Sequence, residues 1–86
     1  MGKTSNLDQV RAILPDFGPF DEAAIREIAD YACEGLTDGD EEVASDALAT
    51  ALLILSVSSE SQRREALENA NEILNEIELN LSRFFR

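Results

Sequence analysis

Histidine is absent from this chain, cysteine occurs once, at Cys33, and lysine once, at Lys3. Without histidine, neither a serine nor a cysteine has the usual base to activate it as a nucleophile. With one cysteine and no imidazole, a zinc or copper site built from this chain alone lacks its ligands. No internal disulfide can form, and a lone cysteine gives no sign of an oxidising compartment. Long apolar runs are missing too. The longest, Ala51 to Leu55, is far short of the ~20 residues that a membrane-spanning helix needs. Residues 1–14 carry Lys3, Asp8 and Arg11 and no unbroken apolar stretch, so no signal peptide is expected. These absences point to a soluble, cytoplasmic protein without a cofactor. Paired-carboxylate chemistry is the one catalytic mechanism the composition allows. It demands a cleft, for which a helical domain this small has little room, so no enzyme is expected.

What is present is a globular composition. Apolar residues make up 44% and charged residues 29% of 86 positions, which suits one folded domain over residues 1–86, its first five residues frayed. A chain this short buries only about 60% of its unfolded surface. Stability must come from packing, with oligomerisation as an aid.

The charge is the most unusual feature. Eighteen acidic residues against seven basic ones leave a net charge of −11, and the excess is concentrated. Between Asp16 and Asp46 eleven carboxylates stand against a single cation, Arg26. Direct binding of nucleic acid or of an anionic membrane is disfavoured by such a field, whereas a basic partner is attracted by it.

Four helices follow from periodicity. In the first, Asn6 is a plausible N-cap and Leu7, Val10, Ile13 and Leu14 recur at helical spacing before Pro15 ends it. The connector Pro15–Phe20 is rigid, and its two phenylalanines are expected to plug the core. The second helix starts at the cap Asp21, with Phe20 and Ile25 as a hydrophobic staple. Its apolar residues Ala24, Ile25, Ile28, Ala29, Tyr31, Ala32 and Leu36 share one sector, while Glu27, Asp30 and Glu34 fall within roughly 60° of one another on the other side. Gly35 or Gly39 supplies a left-handed stop. The third helix starts in Asp38-Gly-Asp-Glu-Glu42 and runs to about Val57, greasy on nearly every side, so it is central in a bundle or faces a partner with one of its sides. Ser58 or Ser59 caps the fourth, and Ser59-x-x-Gln62 fits a capping box. From about Glu60 to Arg83 or beyond, Leu67, Ala70, Leu74, Ile77, Leu81 and Phe84 alternate three and four residues apart, a heptad seam flanked by Ala66 and Ile73. The expected fold is all-α: a compact four-helix arrangement with a short first helix and a long antiparallel hairpin of the third and fourth. The fourth helix outruns the third, leaving Leu81, Phe84 and Phe85 to find other neighbours.

Several motif fragments have ordinary explanations. Gly2-Lys3-Thr4-Ser5 resembles the tail of a phosphate loop but lacks the upstream glycine and strand. Asp38, Asp40 and Glu42 alternate like calcium ligands, yet Val43 and Ala49 stand where that loop needs glycine and a bidentate glutamate; carboxylates at a helix N-terminus are stabilised by its dipole. Cys33 lies between Asp30 and Glu34, which raise a thiol's pKa, and fits a small core residue. Asn80-Leu-Ser82 matches a glycosylation acceptor only by chance.

The expectation is therefore a protein-binding module, of the adaptor, inhibitor, immunity or chaperone-like kind. Its acidic face, Glu27, Asp30, Glu34, Asp38, Asp40, Glu41 and Glu42, steers a basic partner, and affinity still requires an apolar anchor. Solubility or adaptation to a salty host explains the same acidity equally well. A second reading is a mimic of nucleic acid, with carboxylate rows on the second and fourth helices occupying the DNA or RNA site of a basic protein. A third is a homo-oligomer, such as a dimer, held through the third helix and the overhang, with Leu79, Leu81, Phe84 and Phe85 as contacts.

Overall fold

The computed structural model describes residues 6–84, with side chains through Leu81. The first five residues, expected to fray, lie outside the described residues, as do Phe85 and the side chain of Phe84. Four helices follow in order: α1 (Asn6–Ile13), α2 (Glu22–Ala32), α3 (Asp38–Val57) and α4 (Glu60–Phe84). Among the described residues there is no strand. The all-α expectation holds, including the short first helix and the long hairpin at the end.

Asn6, expected just ahead of α1 as its cap, is its first residue. Its side-chain amide donates to the Tyr31 carbonyl at 2.9 Å and to Glu34 at 3.1 Å, fastening α1 to α2. Proline has no N–H to donate, a loss that a first helical turn does not feel. Pro15 thus ends α1 but is absorbed by a 3-10 turn over Leu14–Asp16. That turn drives Leu14 and Phe17 into the core, both essentially without exposure. Only one of the two connector phenylalanines plugs the core, contrary to expectation. Phe20 stays 43% exposed; its ring rests on Phe17 with centroids 4.6 Å apart, and its N–H donates to the Ser56 hydroxyl at 3.3 Å. Phe17 already fills the space, and the chain must emerge at Phe20 to start α2.

Asp21 caps α2, its carboxylate accepting the Ala24 N–H at 2.8 Å. This satisfies one of the donors that a helix start leaves unpaired. Ile25, Ala29, Ala32 and Cys33 form its buried side. Of the two glycines offered as its stop, Gly35 takes the left-handed conformation, at φ 102°. Gly39 lies within the first turn of α3. At the other junction Ser59 does not make the full capping box. Its hydroxyl donates to the Gln62 side chain at 3.3 Å, and the Gln62 N–H returns to the Ser59 carbonyl at 3.0 Å.

The core comes from all four helices. Leu7, Val10 and Leu14 meet Ile25 and Ala29, Leu48, Leu52 and Leu55 of α3, and Ala70, Leu74 and Ile77 of α4. The heptad seam of α4 is thus spent inside the molecule, with Leu67 and Leu81 half-buried at its margins. α3 packs against both α2 and α4, and α1 packs against the same two helices. The radius of gyration is 12.6 Å, close to the ~12 Å expected of a compact chain this long.

Polar contacts stitch these interfaces. Arg11 of α1 reaches Glu78 and Asn75 of α4, both at 2.7 Å. Arg26 of α2 pairs with Asp46 of α3 at 2.5 Å, and the buried Ser45 hydroxyl donates to Asp30. Arg63, near the start of α4, donates to the carbonyl oxygens of Leu55, Leu14, Pro15 and Phe17. No described helix is long and apolar enough to cross a membrane.

Candidate protein-binding surface

The carboxylates singled out from the sequence fall on two neighbouring regions. Glu27 and Asp30 are exposed on α2, whereas Glu34, expected on the same helical face, is exposed in the turn that follows it, because α2 ends at Ala32. They are not equivalent, because Asp30 accepts from Ser45 on α3 and Glu34 from Asn6 on α1. Arg26 lies close enough to Asp30 and Glu22 to feel both charges, though its hydrogen-bonded partner is Asp46. Among the described residues no ion pair neutralises Glu27, Asp30 or Glu34.

Asp38, Asp40 and Glu41 occupy the first turn of α3, where the helix dipole favours negative charge. The Thr37 hydroxyl donates to Asp40 at 3.0 Å. Glu41 is half-buried and, with Asp30, lies close enough to Cys33 for its charge to bear on the thiol. Burial is the larger cause that pushes the Cys33 thiol up to about 11, and the two carboxylates add to it. The thiol is fully buried, so it is neither ionised nor reachable at neutral pH. Glu42 is exposed. Tyr31 is partly exposed, and its hydroxyl donates to Gln9 on α1 at 2.5 Å. No group of three or more metal-ligating side chains gathers among the described residues.

The α2 face offers charge but little apolar surface. That lies on α3. Val43, Ala47, Ile54 and Val57, with the polar Thr50 among them, follow one another at spacings of four, three, four and three, which puts them on one helical stripe. Thr50 also borders a hollow on the α2 side with Glu22 and Arg26. This stripe points away from Leu48, Leu52 and Leu55, and it is open to solvent: Val43 is 71% exposed, Ile54 46% and Val57 74%. Beside it, where α3 meets α4, run two shallow hollows of about 490 and 300 Å³. Ile54, Glu65, Glu68 and Glu72 line the first. Asp40, Val43, Ala47, Glu76 and Leu79 line the second.

Of the residues expected to touch a second copy, Leu79 is 62% exposed and borders this groove, whereas Leu81 is half-buried against the core. Phe84 and Phe85 are the two whose side chains are not described. The α3 stripe was not among the singled-out residues, though its spacing stands in the sequence.

Fold and surface together define a small all-helical protein with an uncovered apolar stripe bordered by carboxylates. Comparison with protein families, with curated proteins and with solved structures finds no match.

Proposed function

We propose that this protein is a non-enzymatic protein-binding module whose partner presents a basic surface. One observation carries the reading: the acidic excess is left largely uncompensated by the fold. Arg11, Arg26 and Arg63 are engaged between elements, and only Asp8, Glu78 and Asp46 receive an ion pair among the described residues. Carboxylates held this way create a field that speeds encounter with a cationic partner and disfavours an anionic one. In this reading Glu27, Asp30, Glu34, Asp38, Asp40, Glu41 and Glu42 steer the partner.

The test is a capture from the native host at low ionic strength, eluted by a salt step, followed by affinity measurements on the partner obtained. Affinity should fall steeply with salt, and Glu27→Gln/Glu34→Gln should weaken it at low salt while leaving it unchanged at high salt. Binding indifferent to salt sinks the reading. Competition between this protein and duplex DNA for the partner would favour the nucleic-acid mimic instead, and a partner that holds both at once rules that mimic out.

A further inference from the structure

We infer that the groove between α3 and α4 receives an amphipathic helix of the partner, with its apolar seam on α3 and its basic flank on α4. This deepens the proposed function and rests on it. The shape of the occupant follows from spacing. Val43, Ala47, Thr50, Ile54 and Val57 repeat at the four-three interval of a heptad seam, and such a seam is complementary to the seam of another helix. From Val43 to Val57 it extends ~21 Å, or two heptads at the rise of an α-helix. Burial there would extend the core outward by a fifth helix.

The sign of the occupant follows from its walls. Glu65, Glu68 and Glu72 border one end of the groove and Glu76 and Asp40 the other, and among the described side chains no cation lines either hollow. The arginines that might have answered them are committed elsewhere: Arg11 between α1 and α4, Arg26 between α2 and α3, Arg63 on the connector. Arg64 is the remaining cation whose side chain is described, and it lines neither hollow. A lysine- or arginine-flanked helix meets these glutamates with opposite charge. A second copy of this chain would bring another glutamate row against them, and like charges in such a contact are costly. The same groove supplies the apolar anchor that the α2 face lacks, since charge alone gives rate and specificity more than affinity.

The probe is a synthetic peptide about three heptads long, enough to favour a helix, with leucine at the seam positions and lysine on the flanks. It is titrated at low ionic strength into the isotopically labelled full chain while amide chemical shifts are followed. Shifts should gather on the outer stripe of α3 and the adjoining edge of α4. Val43→Ser/Ile54→Gln, at exposed positions that leave the core intact, should weaken binding at least about tenfold with an unchanged far-ultraviolet spectrum. A peptide of equal charge with its seam leucines replaced by glutamine should bind comparably weakly. Shifts centred on α2, or affinity untouched by Val43→Ser/Ile54→Gln, overturn the groove while leaving the proposed function standing. If neither peptide binds at low salt, both readings fall. If the free protein sediments as a dimer that Val43→Ser/Ile54→Gln dissolves, the groove belongs to a second copy and the inference is wrong.

Discussion

Arg63 of α4 donates its guanidinium to the carbonyl oxygen of Phe17, 46 residues earlier in the chain. The same group reaches the carbonyls of Leu14, Pro15 and Leu55. One side chain therefore gathers backbone acceptors from the 3-10 turn and from the end of α3, where Leu14 and Leu55 also accept the N–H of Phe17 and Ser58. Planar guanidinium donors suit several carbonyls at once, whereas an ammonium acts as a point charge. Arg63→Ala should cost about 2 kcal/mol, in the range of hydrogen bonds made by a charged group, read from denaturant unfolding. Arg63→Lys should recover only part of that. A lysine variant as stable as the wild type would mean that charge, rather than the fork of donors, holds the connector.

Cys33 gives a pH-dependent prediction. Its folded pKa is raised from 9.0 to about 11, so the neutral thiol is favoured by folding and the thiolate opposed. The contribution is fully present below pH 9.0 and is lost as pH rises towards about 11, because the unfolded chain then ionises and the folded one resists. Stability should fall across that window by an amount that Cys33→Ala removes. The native thiol should also stay unmodified by alkylating reagent at pH 8 and react on unfolding. Rapid alkylation under native conditions would contradict the burial.

Much of the fold was legible because it is written in periodicity. The seam from Leu67 to Leu81 and the cap at Asp21 each declare themselves within a few neighbouring residues. What could not be read were contacts set by distant parts of the chain. Phe17 and Phe20 are alike in sequence, and the 3-10 turn before one and the start of α2 after the other decide which is buried. Asn6 resembles a cap, but its reach to Glu34 depends on how α1 lies on α2. The surface was half legible. The acidic row Glu27 and Asp30 of α2 follows from spacing, whereas the end of the helix before Glu34 and the partners of Asp30 and Glu34 are set only by folding. The outer stripe of α3 was visible as apolar residues four and three apart, yet a helix greasy all round does not reveal which side its neighbours leave bare.

Two glycines should respond in opposite directions to the same substitution. Gly35 sits at φ 102°, where a Cβ clashes with the backbone, so Gly35→Ala should destabilise by about 1 kcal/mol or more. Gly39 lies in the first turn of α3, and a Cβ built there meets nothing within 4 Å. Gly39→Ala should stabilise by about 0.5 kcal/mol by narrowing the unfolded ensemble. Thermal unfolding of the two variants beside the wild type decides it, and equal signs would refute the conformational argument.

Salt should strengthen the fold while weakening the partner complex, and the opposed signs separate two explanations of the acidity. With a net charge of −11 and glutamates stacked at Glu68, Glu72 and Glu76, the folded chain repels itself, each such neighbouring pair costing about 0.2–0.5 kcal/mol. Screening shortens from ~30 Å at 0.01 M to ~10 Å at 0.1 M salt, so the melting temperature should rise over that range. Glu72→Gln should raise it at low salt and have little effect at high salt. A melting temperature that falls instead would mean that Arg11–Glu78 and Arg26–Asp46 outweigh the repulsion. The decisive comparison is between residues. If the carboxylates serve only solubility, replacing Glu72 and Glu76 by glutamine changes stability and nothing else. If they flank a basic helix, the same replacement steadies the free protein and loosens the complex more than the equal change of charge in Glu27→Gln/Glu34→Gln does, a difference that no general effect of net charge produces.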